Sequence, residues 1–262
     1  MSLLEAIIIG IVEGLTEFLP VSSTGHMILT SYLLQMQETT FLDTFMVVIQ
    51  LGAIMAIVWL YAKRFLSSLD IYFKLAVAFL PTGIIGLLAY KSIKLYLFNP
   101  VVVAVSLILG GLVLILLDRK LETTVTKYND IAEISYKRAF LIGLMQCFSM
   151  IPGVSRAAAT IIGGVYNGLD KQQAAEFSFL LAVPTMFAAS GYDLLKADID
   201  YTSNNLLLLG IGMVIAFISA WLAVKFFLKF IHRYGFKHFG YYRIVIGIVF
   251  LILIFSGVME SI

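Results

Sequence analysis

Charge is scarce in this sequence: 13% of its 262 residues are Asp, Glu, Lys or Arg and 61% are apolar, where a soluble domain carries about 25% charged and 45–50% apolar. With a mean hydropathy of +0.98, the chain has too little polar material to cover a water-soluble surface and is an integral membrane protein. Cysteine is nearly absent. Cys147 stands alone, which excludes an internal disulfide, and the lack of CxxC and HExxH removes the usual zinc arrangements. The start, MSLLEAIIIGIVEGL, has no basic leader and carries Glu5 and Glu13 where a cleaved signal needs apolar residues, so the first helix is expected in the mature protein. No phosphate-cradling Walker motif, dinucleotide fingerprint or basic and aromatic groove pattern occurs, so no nucleic-acid partner is expected.

What remains is long apolar runs without the ten-residue alternation of a membrane barrel. They cover approximately 3 to 19, 27 to 36, 45 to 62, 75 to 90, 101 to 117, 139 to 151, 157 to 168, 174 to 192, 206 to 224 and 244 to 258. Three connections are basic. They hold Lys63, Arg64 and Lys74; Arg119, Lys120, Lys127, Lys137 and Arg138; and Lys225, Lys229, Arg233, Lys237 and Arg243. Excess Lys and Arg marks the cytoplasmic side, while Asp193, Asp198, Asp200 and Glu260 fit the outer side; Lys91 and Lys94 blur the 91 to 99 loop. Six spans then alternate without conflict, and the segments 1 to 40 and 139 to 170 must each leave and return on one side, the first outside and the second inside.

The predicted fold is an all-α polytopic membrane protein of six transmembrane helices plus two re-entrant helical hairpins. The chain is one membrane domain over 1–262, with halves of about 1–118 and 139–262 joined by a basic cytoplasmic loop, 119–138. FLPVSS at 18 to 23 echoes MIPGVS at 150 to 155, and FLPT at 79 to 82 echoes AVPT at 182 to 185. A hairpin followed by three crossings, repeated, inverts the second copy, and such inverted-topology repeats place their site near the membrane midplane. No clean small-xxx-small face stands out, so a homodimer is allowed but not specified.

Polar residues concentrate in EGLTEFLPVSSTGH, from Glu13 to His26. Glu13 and Glu17 share a helix face one turn apart. Carboxylates within a membrane are expensive unless they meet protein, water or a cation; this pair suits an oxygen-ligated divalent metal, or an acid and base whose proton affinities are set by each other. After Pro20, the hydroxyls of Ser22, Ser23 and Thr24 suit the cap of a following helix, whose free N–H groups form an anion site. Ser23 and His26 are three apart, a spacing at which an imidazole can take a serine proton.

MIPGVSRAAATI adds what the first block lacks. Pro152 and Gly153 break the helix, Ser155 can cap the next, and Arg156 puts a cation at a helix start, where it opposes the dipole unless an anion is bound. Thr160 lies one turn beyond. An ion pair of Arg156 with Glu13 or Glu17 is the structural alternative. His232 and His238 belong to a basic connection, and Gln50 and Glu176 read as structural polar interruptions of spans.

EGLTEFLPVSSTGH with VVIQLGA at 47 to 53, PGVSR with its downstream Thr, and EFSFLLAVP at 176 to 184 closely resemble the bacterial undecaprenyl-diphosphate phosphatase family, known also for bacitracin resistance. The resemblance covers essentially the whole chain. It implies a multi-pass enzyme of the bacterial plasma membrane that converts undecaprenyl diphosphate to undecaprenyl phosphate for peptidoglycan and other wall polymers, with interdigitated inverted repeats. It makes Glu13 and Glu17 the acidic pair that holds a divalent cation, Mg²⁺ or alternatively Ca²⁺. Ser22, Ser23, Thr24 and His26 become the SSTGH block, and Ser155, Arg156 and Thr160 the arginine block. Ser23, His26, Glu17 and Arg156 are the expected catalytic groups; Ser22, Thr24, Ser155, Arg156 and Thr160 are expected to bind substrate. The family commonly has Ser-Gly after the arginine, whereas this chain has Ala157 and Ala158, so position 157 is left out. Attack by Ser23 and direct attack by water fit the same residues. A carrier of polyprenyl phosphates would also use Arg156, but it needs no nucleophile beside two carboxylates.

Overall fold

The computed structural model describes residues 1–67, 69–97, 99–121, 127–196 and 202–257; Asp198, Asp200 and Glu260 lie outside the described residues. The described chain is helical, with no strand among those residues. Two short helices come first, α1 (Leu3–Thr16) and α2 (Ser23–Leu33), followed by α3 (Thr40–Leu60), the one-turn-and-a-half α4 (Ala62–Ser67), α5 (Leu69–Leu97) and α6 (Pro100–Leu121). A second short pair, α7 (Tyr136–Gln146) and α8 (Arg156–Tyr166), precedes α9 (Lys171–Lys196), α10 (Ser203–Tyr234) and α11 (Lys237–Phe255). Among the described residues six helices are long and apolar enough to cross a bilayer: α3, α5, α6, α9, α10 and α11. Those are the six spans expected from the loop charges. The pairs α1–α2 and α7–α8 fall where the two hairpins were expected and pack as helical hairpins.

The first helix of each hairpin leans on the half of the chain that does not contain it. α1 packs against α10, and α7 against α5. The first seam is made by small residues, because two helices without an aqueous driving force gain most from close backbone approach. Gly10 lies against the Gly212 carbonyl and Gly14 against Ala216 and Ser219; Gly212, Ala216 and Ala220 are buried along one stripe of α10. A small-xxx-small face therefore exists, contrary to expectation, and it is used inside the fold. Its α10 half was hidden among Leu, Ile and Phe at the intervening positions.

Two other expectations change. Lys225, Lys229 and Arg233 lie within α10, and Lys237 and Arg243 within α11, with Gly235 and Phe236 as the only break. At about 1.5 Å per residue the 32-residue α10 outruns an apolar slab of about 30 Å, so hydropathy falls while helical bonding continues. His232 and His238 are exposed helical residues. The FLPT and AVPT echo also fails to mark equivalent positions: the first lies in α5, the middle span of its half, and the second in α9, the first span of its half. Their threonines meet instead. The Gln146 amide donates to Thr82 at 2.9 Å and to Thr185 at 3.2 Å.

The end of the bundle that carries the basic residues is closed by the segment around the 3₁₀ turn Ile131–Glu133. Arg64 pairs with Asp130 and with Glu176 at 3.1 Å, and Lys74 donates to the Ala132 carbonyl. Glu176 is thus the structural residue expected of it.

A Cβ at Gly14 would collide with the Ala216 carbonyl and the Ala220 nitrogen, whereas nothing lies within 4 Å of one at Gly210. Gly14→Ala is expected to destabilise the detergent-solubilised protein by about 1–3 kcal/mol through overpacking. Gly210→Ala should be neutral or stabilising by up to about 1 kcal/mol, both read from thermal unfolding.

Candidate functional site

The two breaks between short helices are built alike. α1 ends and Glu17 caps it; the chain then turns through Pro20 to Ser22, whose φ of 73° is unusual for a residue with a side chain. The Ser22 hydroxyl accepts from the Gly25 N–H at 3.4 Å, starting α2. In the second hairpin Ser155 has φ 74° and its hydroxyl accepts from the Ala158 N–H at 3.2 Å, starting α8. Strain of this kind, of order 1–3 kcal/mol per residue, persists only where surroundings over-determine it. Both caps match the sequence expectation.

The breaks bring Ser23, Glu17 and Arg156 into one chain of contacts. The Ser23 hydroxyl donates to Glu17 Oε2 at 2.5 Å. Arg156 Nη2 donates to Glu17 Oε1 at 3.1 Å. Nη1 of Arg156 donates to the Ser178 carbonyl of α9 at 3.0 Å, and the guanidinium lies over the Phe18 ring at 5.6 Å. Every member is buried or nearly so: Glu17 is 8% and Ser23 7% exposed. Charge-assisted bonds at such depth are strong because little water competes.

Glu13 is fully buried, yet neither of its carboxylate oxygens has a hydrogen-bond partner, and Arg156 Nε is also unpartnered. No donor of the protein reaches the Glu13 oxygens and the Glu17 carboxylate lies beside them; a buried carboxylate in that position costs on the order of several kcal/mol, so the pair is a place for a shared proton or a cation. Among the described residues no three His, Cys, Asp or Glu side chains converge as a metal cage. Two acidic side chains on adjacent turns nevertheless suit Mg²⁺, which characteristically takes one or two carboxylates and completes its shell with water and substrate phosphate oxygens. The donor set fits such a cation.

His26 takes a different place from the one expected. Its Nδ1 lies 2.8 Å from the Ser22 carbonyl, which can only accept, so Nδ1 carries the proton. Nε2 then accepts from the Tyr242 hydroxyl at 2.7 Å, and the two rings stack at 5.5 Å with 10° between their planes. The structure therefore hands Ser23 to Glu17 and not to His26. Sequence spacing measures separation along a helix, but imidazole orientation was decided by α11, remote in the chain. Thr160 also turns away: its hydroxyl meets Ser178 Oγ at 2.6 Å and the Arg156 carbonyl at 2.9 Å. It props the α9 backbone that holds Arg156. Thr24 lines a cleft of about 740 Å³, with Met27, Ser31, Asp43, Gln50 and Ser190. The cleft runs to the end of the bundle where α3 and α6 begin and α9 ends, opposite the basic residues. Tyr242, Arg243 and Ser178 were missed. The only sequence signal for the first two was YYR followed directly by an apolar run, which is indistinguishable from the rim of an ordinary span.

The model of the bacitracin resistance protein BacA family matches residues 6–249. An undecaprenyl-diphosphatase of Wolinella succinogenes is 54% identical over 251 residues, covering 96% of this chain and 98% of its own. One from Persephonella marina is 51% identical over 254 residues, 97% of this chain and all of its own. One from Campylobacter jejuni is 48% identical over 262 residues, the whole of this chain and 98% of its own.

The tautomer at His26 is testable by ¹⁵N NMR of the labelled imidazole. Nδ1 should carry the proton in the wild type, and Tyr242→Phe should shift the Nε2 resonance toward a free acceptor; a protonated Nε2 in the wild type would contradict the geometry.

Proposed function

The chain belongs to the BacA family of bacitracin resistance proteins, and from that premise we propose that it hydrolyses undecaprenyl diphosphate to undecaprenyl phosphate and inorganic phosphate. It would do so as a multi-pass enzyme of the bacterial plasma membrane, returning the lipid carrier to cell-wall synthesis. The observation that carries this reading is Ser23 Oγ at 2.5 Å from a carboxylate whose other oxygen is held by Arg156. A carrier for the same lipid needs the arginine, but no hydroxyl aimed at a buried acid.

Phosphoryl transfer is mostly a matter of position and charge. An entering diphosphate offers Arg156 oxygens that match its fork bidentately, including the unpartnered Nε. Arg156 can then shift from Glu17 to the phosphate, releasing Glu17 Oε1 while Oε2 keeps the Ser23 hydroxyl. Ser23 Oγ attacks the terminal phosphorus as its proton passes to Glu17; the anhydride P–O bond breaks, and Glu17 hands that proton to the departing lipid monophosphate oxygen, leaving the carboxylate free again. Water cleaves the phosphoserine with Glu17 taking and returning the proton, so one water is consumed and one phosphate released. The N–H groups that open α2 and α8 supply further positive potential. Glu13 with Glu17 would hold Mg²⁺ or Ca²⁺, and a cation there supplies charge neutralisation of phosphate oxygens. Ser22 and Ser155 bind indirectly by shaping the helix starts, and Thr24, next in the chain to Ser23, lines the cleft that runs to the end of the bundle opposite the basic residues. The exchange of hairpins between halves supports the reading of two inverted copies whose breaks meet within the membrane, which is what makes each hairpin re-entrant. Because the α1–α10 small-residue seam is internal, a homodimer would have to form elsewhere.

Phosphate release from undecaprenyl diphosphate by the purified protein tests the proposal. Arg156→Ala should lower kcat by about 10²–10³, the range for losing one charge-stabilising group; Ser23→Ala and Glu17→Gln, which remove the nucleophile and its base, should lower it further, and a divalent-metal chelator should abolish release reversibly. Single-turnover quenching should trap phosphate on Ser23. A folded wild type that binds the lipid yet releases nothing would discard the enzyme and favour a carrier.

A further inference from the structure

The largest fully buried side chain is one that the reaction above does not touch. Arg243, in α11, is 0% exposed. Guanidinium has five N–H donors in a planar fork, and each of them here has a carbonyl. Nε donates to Leu107 at 3.3 Å and Nη2 to Ser106 at 3.2 Å, both in α6. Nη1 donates to Pro20 at 2.9 Å; Nη1 and Nη2 donate to Val154 at 2.9 Å and Gly153 at 2.8 Å. Pro20 lies in the turn before Ser22, and Gly153 and Val154 immediately precede Ser155. One rigid group thus grips both helix breaks. No ion pair among the described residues includes it, so its charge is balanced only by carbonyl dipoles and by the fields of more distant acids.

The opposing helix is shaped to admit it. A Cβ at Gly110 of α6 would run into Nη2, while neighbouring Gly111 packs against the Gly240 carbonyl. Gly110 and Arg243 also stand at the same interval after Ser22 and Ser155 respectively. The side chain occupies the place where the two halves face each other, which is why it can reach one turn from each.

We infer that Arg243 is the positioning residue that holds the two hairpin turns at the separation at which Ser23 and Arg156 both reach Glu17. Lysine cannot replace it. A Lys keeps the charge but offers three donors from a single atom, so at least two of the five carbonyls lose their partner, and one ammonium cannot span α6 and both turns as the planar fork does. The turns then relax, and a displacement of about 1 Å suffices to cost about 10² in rate. The activity readout of this inference rests on the phosphatase reading; the exchange readout below does not.

The test compares wild type with Arg243→Lys, Gly110→Ala and Gly247→Ala in detergent. Gly247 lies on the same α6–α11 seam one turn beyond Arg243, where the atoms nearest a Cβ belong to Ile108 and the Ala104 carbonyl and not to the guanidinium. Arg243→Lys and Gly110→Ala should each lower kcat by about 10², and the double variant should fall no further than about threefold below either single one, as coupled residues do. Amide hydrogen exchange in Arg243→Lys should quicken at 19–26 and 152–158 while α3 and α10 keep their protection. Gly247→Ala should lower the thermal midpoint yet keep kcat within about threefold of wild type, because it leaves the fork in place. Arg243→Lys with wild-type kcat, or exchange that quickens uniformly, would overturn the inference, as would a Gly247→Ala that loses as much kcat as Arg243→Lys. If the wild type releases no phosphate, the phosphatase reading fails by itself, and selective or uniform exchange still decides the role of Arg243.

Discussion

A helix broken inside an apolar bundle leaves carbonyls and N–H groups that no solvent can satisfy, and each must be given a partner by the protein. This constraint organises the molecule. At Ser22 and Ser155 the donors of the following helix are met by a serine hydroxyl. The acceptors of the preceding turns, Pro20, Gly153 and Val154, are met by a single guanidinium. Breaking the helices is what makes backbone N–H groups available to an anion deep in the bundle, and Arg243 is what lets two broken helices coexist side by side. Gly110 follows from Arg243, since nothing larger than hydrogen fits beside the fork.

The charges of the centre follow a second rule, that buried ions persist when they are matched. Glu13 and Glu17 bring two acids; Arg156 and Arg243 bring two permanent cations. Only Glu17 and Arg156 are in direct contact. Glu13 and the Nε of Arg156 are left without hydrogen bonds, which costs stability in the free protein and is recovered only when something binds. In the proposed reaction a diphosphate accompanied by a cation would supply both at once: acceptor oxygens for the arginine and positive charge for the acid. Binding and charge neutralisation are then one event.

Much of this was legible in the sequence and some could not be. The six spans followed from apolar length, and the places of the two short helical pairs from the segments left over once six crossings were counted. The acidic pair, the two capping serines and Arg156 stood out because polar residues are costly in an apolar context. Partners set by tertiary contact were not legible. Ser23 and His26 have the spacing of a proton-transfer pair, but Tyr242 on α11 claims the imidazole. Thr160 looked like a second anion ligand, but Ser178 on α9 claims its hydroxyl. Arg243 passed for a loop charge because a charged residue at a span's rim and one buried behind the rim look the same in a linear string. The resemblance to a known family carried the activity, which spacing alone would have left as an intramembrane anion site.

The two hairpins share a frame but not a function, and hydrogen bonding shows why. Nine residues before each capping serine, the first hairpin has Glu13 and the second Gln146; twelve before, both have a glycine, Gly10 and Gly143, packed on the other half's helix. Gln146 is fully buried like Glu13, but its amide nitrogen donates to Thr82 and Thr185 and its oxygen accepts from Thr185. A neutral amide with its partners in place is a finished part of the bundle. A carboxyl at the matching place, with no donor and only the Glu17 carboxylate beside it, is left open to a proton or a cation. Two similarly built helix breaks, one with its buried polar residue satisfied and the other not, account for why the proposed site lies at the first hairpin and has no counterpart at Gln146.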